Sequence, residues 1–361
     1  MAFEATKKEW SELYTFFRLL SDGYVYAGTP QVTQNNEERI PVAMIQREEH
    51  DGTRQYIIEE DMIHIVGENL DKKVPREDFS IVAGLILKGI KESRETDVTS
   101  PDGVEEFLDE VAIFDLEAKT EDRTDFHVAF YHRNAPLKGF CVRSRMGFMN
   151  PLLDGGRAAN FKFEQTGVKF PAPTINKINA EGEEDDVLSR MLMLERLGGG
   201  LKYSDVADKV FRSNLSVIDL HMGRLMGEMT RLMWLEGITK VSELTQRMKE
   251  INPLKIKDEL INKHGYYEYK VKELLLALAN GMRPAKIYNG TDSAIDGLLF
   301  VTSDAQVLCY QRGSRQTFAD FLYYNTRLEK GATAKDKYGY LERENGVYYF
   351  KFNLKIGLLK R

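Results

Sequence analysis

Asp125 stands directly before the alternating segment FHVAFYH, and a second alternating segment, FCVRSRM, follows across the turn RNAPLKG. Many nucleases place an Asp at the start of one strand and a Glu two residues before a Lys on the next, so that alternate side chains of the second strand face the first strand's acid. The two carboxylates hold Mg²⁺, which activates a water and neutralises charge on a phosphate, while the Lys supports the nucleophile or the transition state. Here the facing strand offers Cys141-Val142-Arg143 where an acid, any residue and a Lys are expected. By pattern alone the plainer reading outweighs the catalytic one: Asp125 as a strand-edge acid and Arg143 as a solvated or paired arginine. A second carboxylate is expected from the preceding helix, where Glu105 and Glu106 lie. A literal Glu-x-Lys at 117–119 lacks a preceding strand with a suitably placed acid and reads as chance. His127 and His132 flank the hairpin as possible bases or, more commonly, as polar caps. Gly198-Gly199-Gly200 follows a helix with no GK[ST] after it, so it is not a phosphate loop.

The hairpin must be held by elements legible in the same way. WSELYTFFRLL spaces Leu13, Phe16, Phe17 and Leu20 as a helix, with Ser11 as its expected N-cap and Ser21-Asp22-Gly23 as its stop. IPVAMIQR and QYIIEE read as strands, residues 79–95 as a helix, and PDGVEEFLDEV as another. Residues 171–185 are polar and acidic and mark a surface connection or unit boundary. From 186 to 280 the pattern is helical, and Met222, Met226, Met229 and Met233 fall at core spacing. GLLFVTS, QVLCYQR and GVYYFKFNLKIGLL return to strand, with the helix RQTFADFLYYN between them.

Composition bounds the function classes. The 361 residues exceed what one core usually supports, so two structural units, perhaps interwoven, are expected. No apolar run reaches a membrane span, IVAGLILKGI being broken by Lys88, and no secretory leader is legible, so the chain reads as cytoplasmic. Its two cysteines, Cys141 and Cys309, lie in different strands without metal-ligand spacing and are expected as buried thiols. The net charge of −6 argues against indiscriminate coating of nucleic acid, but charge is segregated: residues 137–169 carry +4 and residues 327–361 carry +5, leaving −15 for the remainder. Such a layout suits a protein that grips a polyanion at one place.

Several blocks resemble the HpaII family of type II restriction endonucleases. They are KKEWSELYTFFRLL, NAPLKGFCVRSRMG with PLLDGGRAANFKFE, YYEYKVKELLLALANGMRPAKIYNG, GLLFVTSDAQVLCYQRGSRQTF, FLYYNTRLE and NGVYYFKFNLKI, in the family's order and over nearly the whole chain. The resemblance implies an α+β fold with a PD-(D/E)XK-like core, a mixed sheet flanked by helices, carrying an N-terminal β-rich extension and a C-terminal helical and β extension. The implied division is 1–78 (N-terminal helix and β-rich region contacting DNA), 79–175 (nuclease core) and 176–361 (completing the fold and binding DNA). It implies Mg²⁺-dependent cleavage of double-stranded DNA at CCGG, alongside a cognate DNA methyltransferase acting on the same site. By position Asp125 takes the metal-binding acid, Cys141 the place of the family's Ser, and Arg143 that of its Lys. Arg keeps its charge but stays protonated and forks, so position 143 departs from the family. A relative that binds its site without cutting it is therefore the alternative. Arg145, Arg157, Asn160 and Lys162 suit phosphate contacts, and Arg312 and Arg315 are the expected readers of guanine.

Overall fold

A computed structural model describes residues 4–116, 123–290 and 294–360. The Glu-x-Lys at 117–119 lies outside the described residues.

Helix α1 (Lys7–Asp22) opens on a capping box: the Thr6 side chain accepts from the Glu9 N–H, while the Glu9 carboxylate accepts from the Thr6 N–H. The helix ends where Gly23 takes a left-handed conformation, φ 69°. The expected cap, Ser11, lies inside the helix instead and donates to the Lys7 carbonyl at 2.6 Å. Sequence reasoning took the first apolar position for the helix start, whereas the cap stands a full turn earlier.

Nine strands form the main sheet, in the spatial order Tyr24–Gly28, Val307–Gln311, Ile295–Val301, Lys138–Ser144, Phe126–Phe130, Gln34–Glu49, Gly52–Ile58, Met62–Gly67, Leu70–Pro75. It is mixed: Ile295–Val301 runs parallel to Lys138–Ser144, and Val307–Gln311 runs parallel to Tyr24–Gly28. The long strand Gln34–Glu49 pairs with Tyr24–Gly28 through its first half and with Phe126–Phe130 and Gly52–Ile58 through its second. Six strands, the two of the hairpin among them, thereby close upon themselves. The sheet draws on residues 24–75, 126–144 and 295–311, so the chain's ends are woven through its middle.

Two apolar cores lie on the sheet's two faces. One packs α1, α2 (Arg76–Glu92) and α3 (Val104–Glu110) against Ile45, Val128, Phe140, Val142 and Leu299. The other packs Cys141, Leu298, Phe300 and Leu308 against the helices between residues 187 and 325, and it contains Met222, Met226, Met229 and Met233 as expected. Both cysteines are buried and free.

Two segments differ from the sequence reading. The stretch after Gly198 is the strand Gly199–Val206, which pairs with Asn160–Gly167 in a four-stranded sheet completed by Val347–Asn353 and Leu341–Glu344. Glycine and mixed polarity hid its alternation. The polar run at 171–185 contains the helix Ala172–Asn179, which buries Ile175 and Ile178. Among the described residues no helix is long and apolar enough to cross a membrane.

Candidate active site

The hairpin sits at the middle of the sheet with its alternating faces as expected, and its register sets Phe126 opposite Phe140, His127 opposite Gly139 and Val128 opposite Lys138. Gly139 is required by close approach: a Cβ there would meet the Ala294 carbonyl oxygen at 2.2 Å. Phe126, Val128, Phe140 and Val142 enter the core beneath α1, whereas Cys141 enters the opposite core. By the pleat, Asp125, Cys141 and Arg143 therefore share the other face.

Asp125 is fixed at both ends. Its N–H donates to the Phe140 carbonyl at 2.8 Å, and its Oδ2 accepts from the Val142 N–H at 2.6 Å. The carboxylate is thus tied to the backbone of the facing strand one residue before Arg143. Arg143 is half-buried, and its Nη1 donates to the Val142 carbonyl at 2.8 Å. Cys141, which donates to the Arg123 carbonyl at 3.3 Å, reports the local charges: burial pushes its thiol up to about 12, Asp125 and Glu12 add to the shift, and Arg143 and Arg283 oppose it. A neutral thiol is no nucleophile at neutral pH.

The acid that joins Arg143 comes from α1. Glu12, only 6% exposed, lines a small pocket together with Lys8, Val142, Arg143 and Ser144. Lys8 lies one turn before it, with its ammonium 3.1 Å from the Glu12 carboxylate. Glu105, the expected second carboxylate, is on α3, accepts a hydrogen bond from Ser100 Oγ, and is absent from the lining of this pocket. Glu12 had a legible signal, an acid within a helix otherwise rich in Trp, Leu and Phe, but burial of that whole helix is what gives the signal meaning.

The model of the family described as HpaII restriction endonuclease matches residues 6–358. The chain belongs to that family. It is 29% identical over 362 residues to the type II restriction enzyme HpaII of Haemophilus parainfluenzae, with 99% of each chain covered. No solved structure matches it.

For an HpaII-family chain, the placement of the other expected residues separates them into groups. Arg145 follows the hairpin strand, its N–H donating to the Val301 carbonyl at 2.9 Å and its guanidinium 5.2 Å from the Phe300 ring centroid. Arg157 donates to the Lys335 carbonyl at 3.1 Å. Lys162 is ion-paired to Glu344 at 2.8 Å and lies over the Tyr349 ring. Asn160 is 2% exposed and its amide joins the carbonyls of Asp336 and Lys337 to Asn353, which makes it a strut between segments. Arg312 and Arg315 line a separate cavity with Tyr288 and Glu273, and Arg315 donates to both Glu273 oxygens at 2.6 Å.

A further charged layer supports the site. Arg47, 3% exposed, pairs with Glu49 and donates to the carbonyls of Asp115 and Leu116, the latter at 2.9 Å. The long strand thereby fastens the chain where it leads toward Asp125.

Proposed function

We propose that this chain is a type II restriction endonuclease that hydrolyses phosphodiester bonds of double-stranded DNA at CCGG with Mg²⁺, on a PD-(D/E)XK-like core. The observation that carries the reading is Asp125 locked to the Val142 amide at the centre of the sheet, with Arg143 next along the facing strand and the buried Glu12 reaching Arg143's pocket.

The acids whose charges both act on the Cys141 thiol, Asp125 and Glu12, are hard oxygen donors of the kind Mg²⁺ takes. Among the described residues no group of three or more His, Cys, Asp and Glu is arranged as a cage. Mg²⁺ needs none, since it binds through one or two carboxylates and keeps water and phosphate oxygens as its other ligands. Asp125 and Glu12 would supply those carboxylates. The ion would supply a water acidified toward hydroxide and a positive charge against the phosphoryl oxygens.

The chain's own groups do the rest. Arg143 places a permanent cation beside the phosphate to stabilise the charge that develops there, but it cannot accept a proton from water. Lys8 brings an ammonium to the same pocket. Arg145, Arg157 and Lys162 contribute backbone contacts that fix register, while Arg312 and Arg315 are the proposed base readers, with Arg315 exchanging Glu273 for a guanine edge. A methyltransferase acting on the same site would be its functional counterpart.

One observation favours a second reading, a relative that recognises DNA without cutting it: position 143 holds Arg instead of the family's Lys. Incubating the protein with CCGG-bearing duplex, with Mg²⁺ or with EDTA, separates the two. Discrete Mg²⁺-dependent cutting supports the nuclease. Site-specific binding without cutting, by a protein that gains cleavage on Arg143→Lys, supports the second.

A further inference from the structure

We propose that the backbone phosphates flanking the scissile one are seated in a cleft next to the hairpin, formed by Lys7, Lys91, Arg145, Arg327 and Lys360. The inference rests on the nuclease reading above and adds the path of the bound strand to it.

The cleft, about 630 Å³, is walled by five cations and no acid. They come from the start of α1, the end of α2, the residues after the hairpin, the strand Thr326–Glu329 and the chain after Leu358. Two of the contributing segments are the stretches 137–169 and 327–361, in which the sequence concentrates its positive charge. The fold joins them directly, since Leu153–Asp154 and Asn160–Gly167 pair with Lys355–Leu358 and Val347–Asn353.

Cations elsewhere are neutralised at close range: Lys162 by Glu344, Lys351 by Glu342, Lys272 by Asp320 and Arg315 by Glu273. Of the five in the cleft, Arg327 alone has a carboxylate partner among the described residues, Glu329 at 2.9 Å. Lys7 donates to the Ser93 carbonyl at 2.8 Å, and Lys360 lies over the Phe148 ring. Arg145 is the most telling. It is half-buried, its Nε is buried without a hydrogen-bond partner, and burial lowers its pKa with only the Tyr310 hydroxyl opposing. A desolvated guanidinium without a counter-ion is costly unless a ligand brings the anion.

The cleft adjoins the candidate active site along two chain segments. Lys7 precedes Lys8, and Arg145, in the turn after the hairpin strand, is two residues beyond Arg143 and so within about 7 Å along the chain. That step is comparable with the one between neighbouring phosphates. The loop that follows Arg145 lies tightly on α1: a Cβ at Gly147 would meet the Lys7 Cβ at 2.8 Å. A strand with its scissile phosphate at Arg143 therefore continues past Arg145 into the cleft.

The test is duplex binding by fluorescence anisotropy, with Ca²⁺ replacing Mg²⁺ to prevent cutting, between about 50 and 200 mM KCl. Each lost phosphate contact lowers the slope of log K against log salt by about 0.9. The double variant Lys91→Ala, Lys360→Ala is expected to lose about two units of slope on CCGG and scrambled duplexes alike. Lys263→Ala, which removes an exposed lysine outside the cleft lining, paired with Glu259 within the helix Asp258–His264, is expected to keep the wild-type slope. Thermal melts verify that all variants are folded. A double variant with the wild-type slope, in a protein that binds and cuts DNA, overturns the cleft and spares the nuclease reading. A wild-type protein that binds no duplex at any salt overturns both.

Discussion

Arg143 decides how the proposed site works, because a guanidinium can stabilise phosphate charge without ever serving as a base. Arg143→Ala is expected to lower single-turnover cleavage by about 10² to 10³, the usual cost of removing one group that stabilises the transition state. Arg143→Lys is expected to stay within about tenfold of wild type, since Lys8 already supplies an ammonium to the pocket. A much larger gain on Arg143→Lys would mark the arginine as a lesion. The second carboxylate is tested by Glu12→Gln, expected to cost at least about 10²-fold in rate, against Glu105→Gln. The reverse order of effects would return that role to Glu105. Asp125 and Arg143 were legible because period-two alternation fixes faces from sequence alone. Glu12 was legible only as an acid in an apolar helix; its place beside Arg143 was not, because only the packing of α1 brings it to that pocket.

At the scale of elements, α1 delivers both Lys8 and Glu12, so its start governs the pocket. Thr6→Ala removes the side-chain half of the capping box and is expected to cost about 1 kcal/mol, read as a lowered Tm, with cleavage falling as the first turn frays. Unchanged stability and rate would show that tertiary packing alone holds the helix. A second element-scale effect concerns Lys162, Lys351 and Glu344, on three adjoining strands of the four-stranded sheet. The hydrogen bonds from Lys162 and Lys351 hold the Glu344 carboxyl below its ordinary range. A depressed carboxylate stabilises the fold fully above its unfolded pKa and loses that contribution as pH falls through the folded value. Melting scans from neutral to acid pH are therefore expected to show a smaller acid loss for Glu344→Gln than for wild type. Equal losses would show that these ion pairs add nothing to the acid sensitivity of the fold. Helices with regular apolar spacing and the hairpin were readable in sequence. The strand Gly199–Val206 was not, because its glycines and half-exposed polar residues carry no clear period, and its place is set by pairing with Asn160–Gly167.

Across the whole molecule, a chain of net charge −6 brings five cations into one cleft, while strands from residues 24–75 and 295–311 flank the hairpin. The charge windows were visible in sequence. Their meeting was not, because strand pairing between residues about 200 apart leaves no local trace. The interweaving also holds the hairpin in place: it is flanked on both sides by strands, and its side chains enter the cores on both faces. The nuclease proposal places DNA cutting at this hairpin. It is tested most directly by incubating plasmid and Mg²⁺ with the wild-type protein and with Asp125→Ala, then sequencing any ends. Discrete ends at CCGG are expected from the wild type, with a loss of at least about 10³-fold in rate for Asp125→Ala, corresponding to several kcal/mol of lost transition-state stabilisation. Cutting that survives Asp125→Ala, or a wild-type protein that leaves plasmid intact, would contradict the proposal.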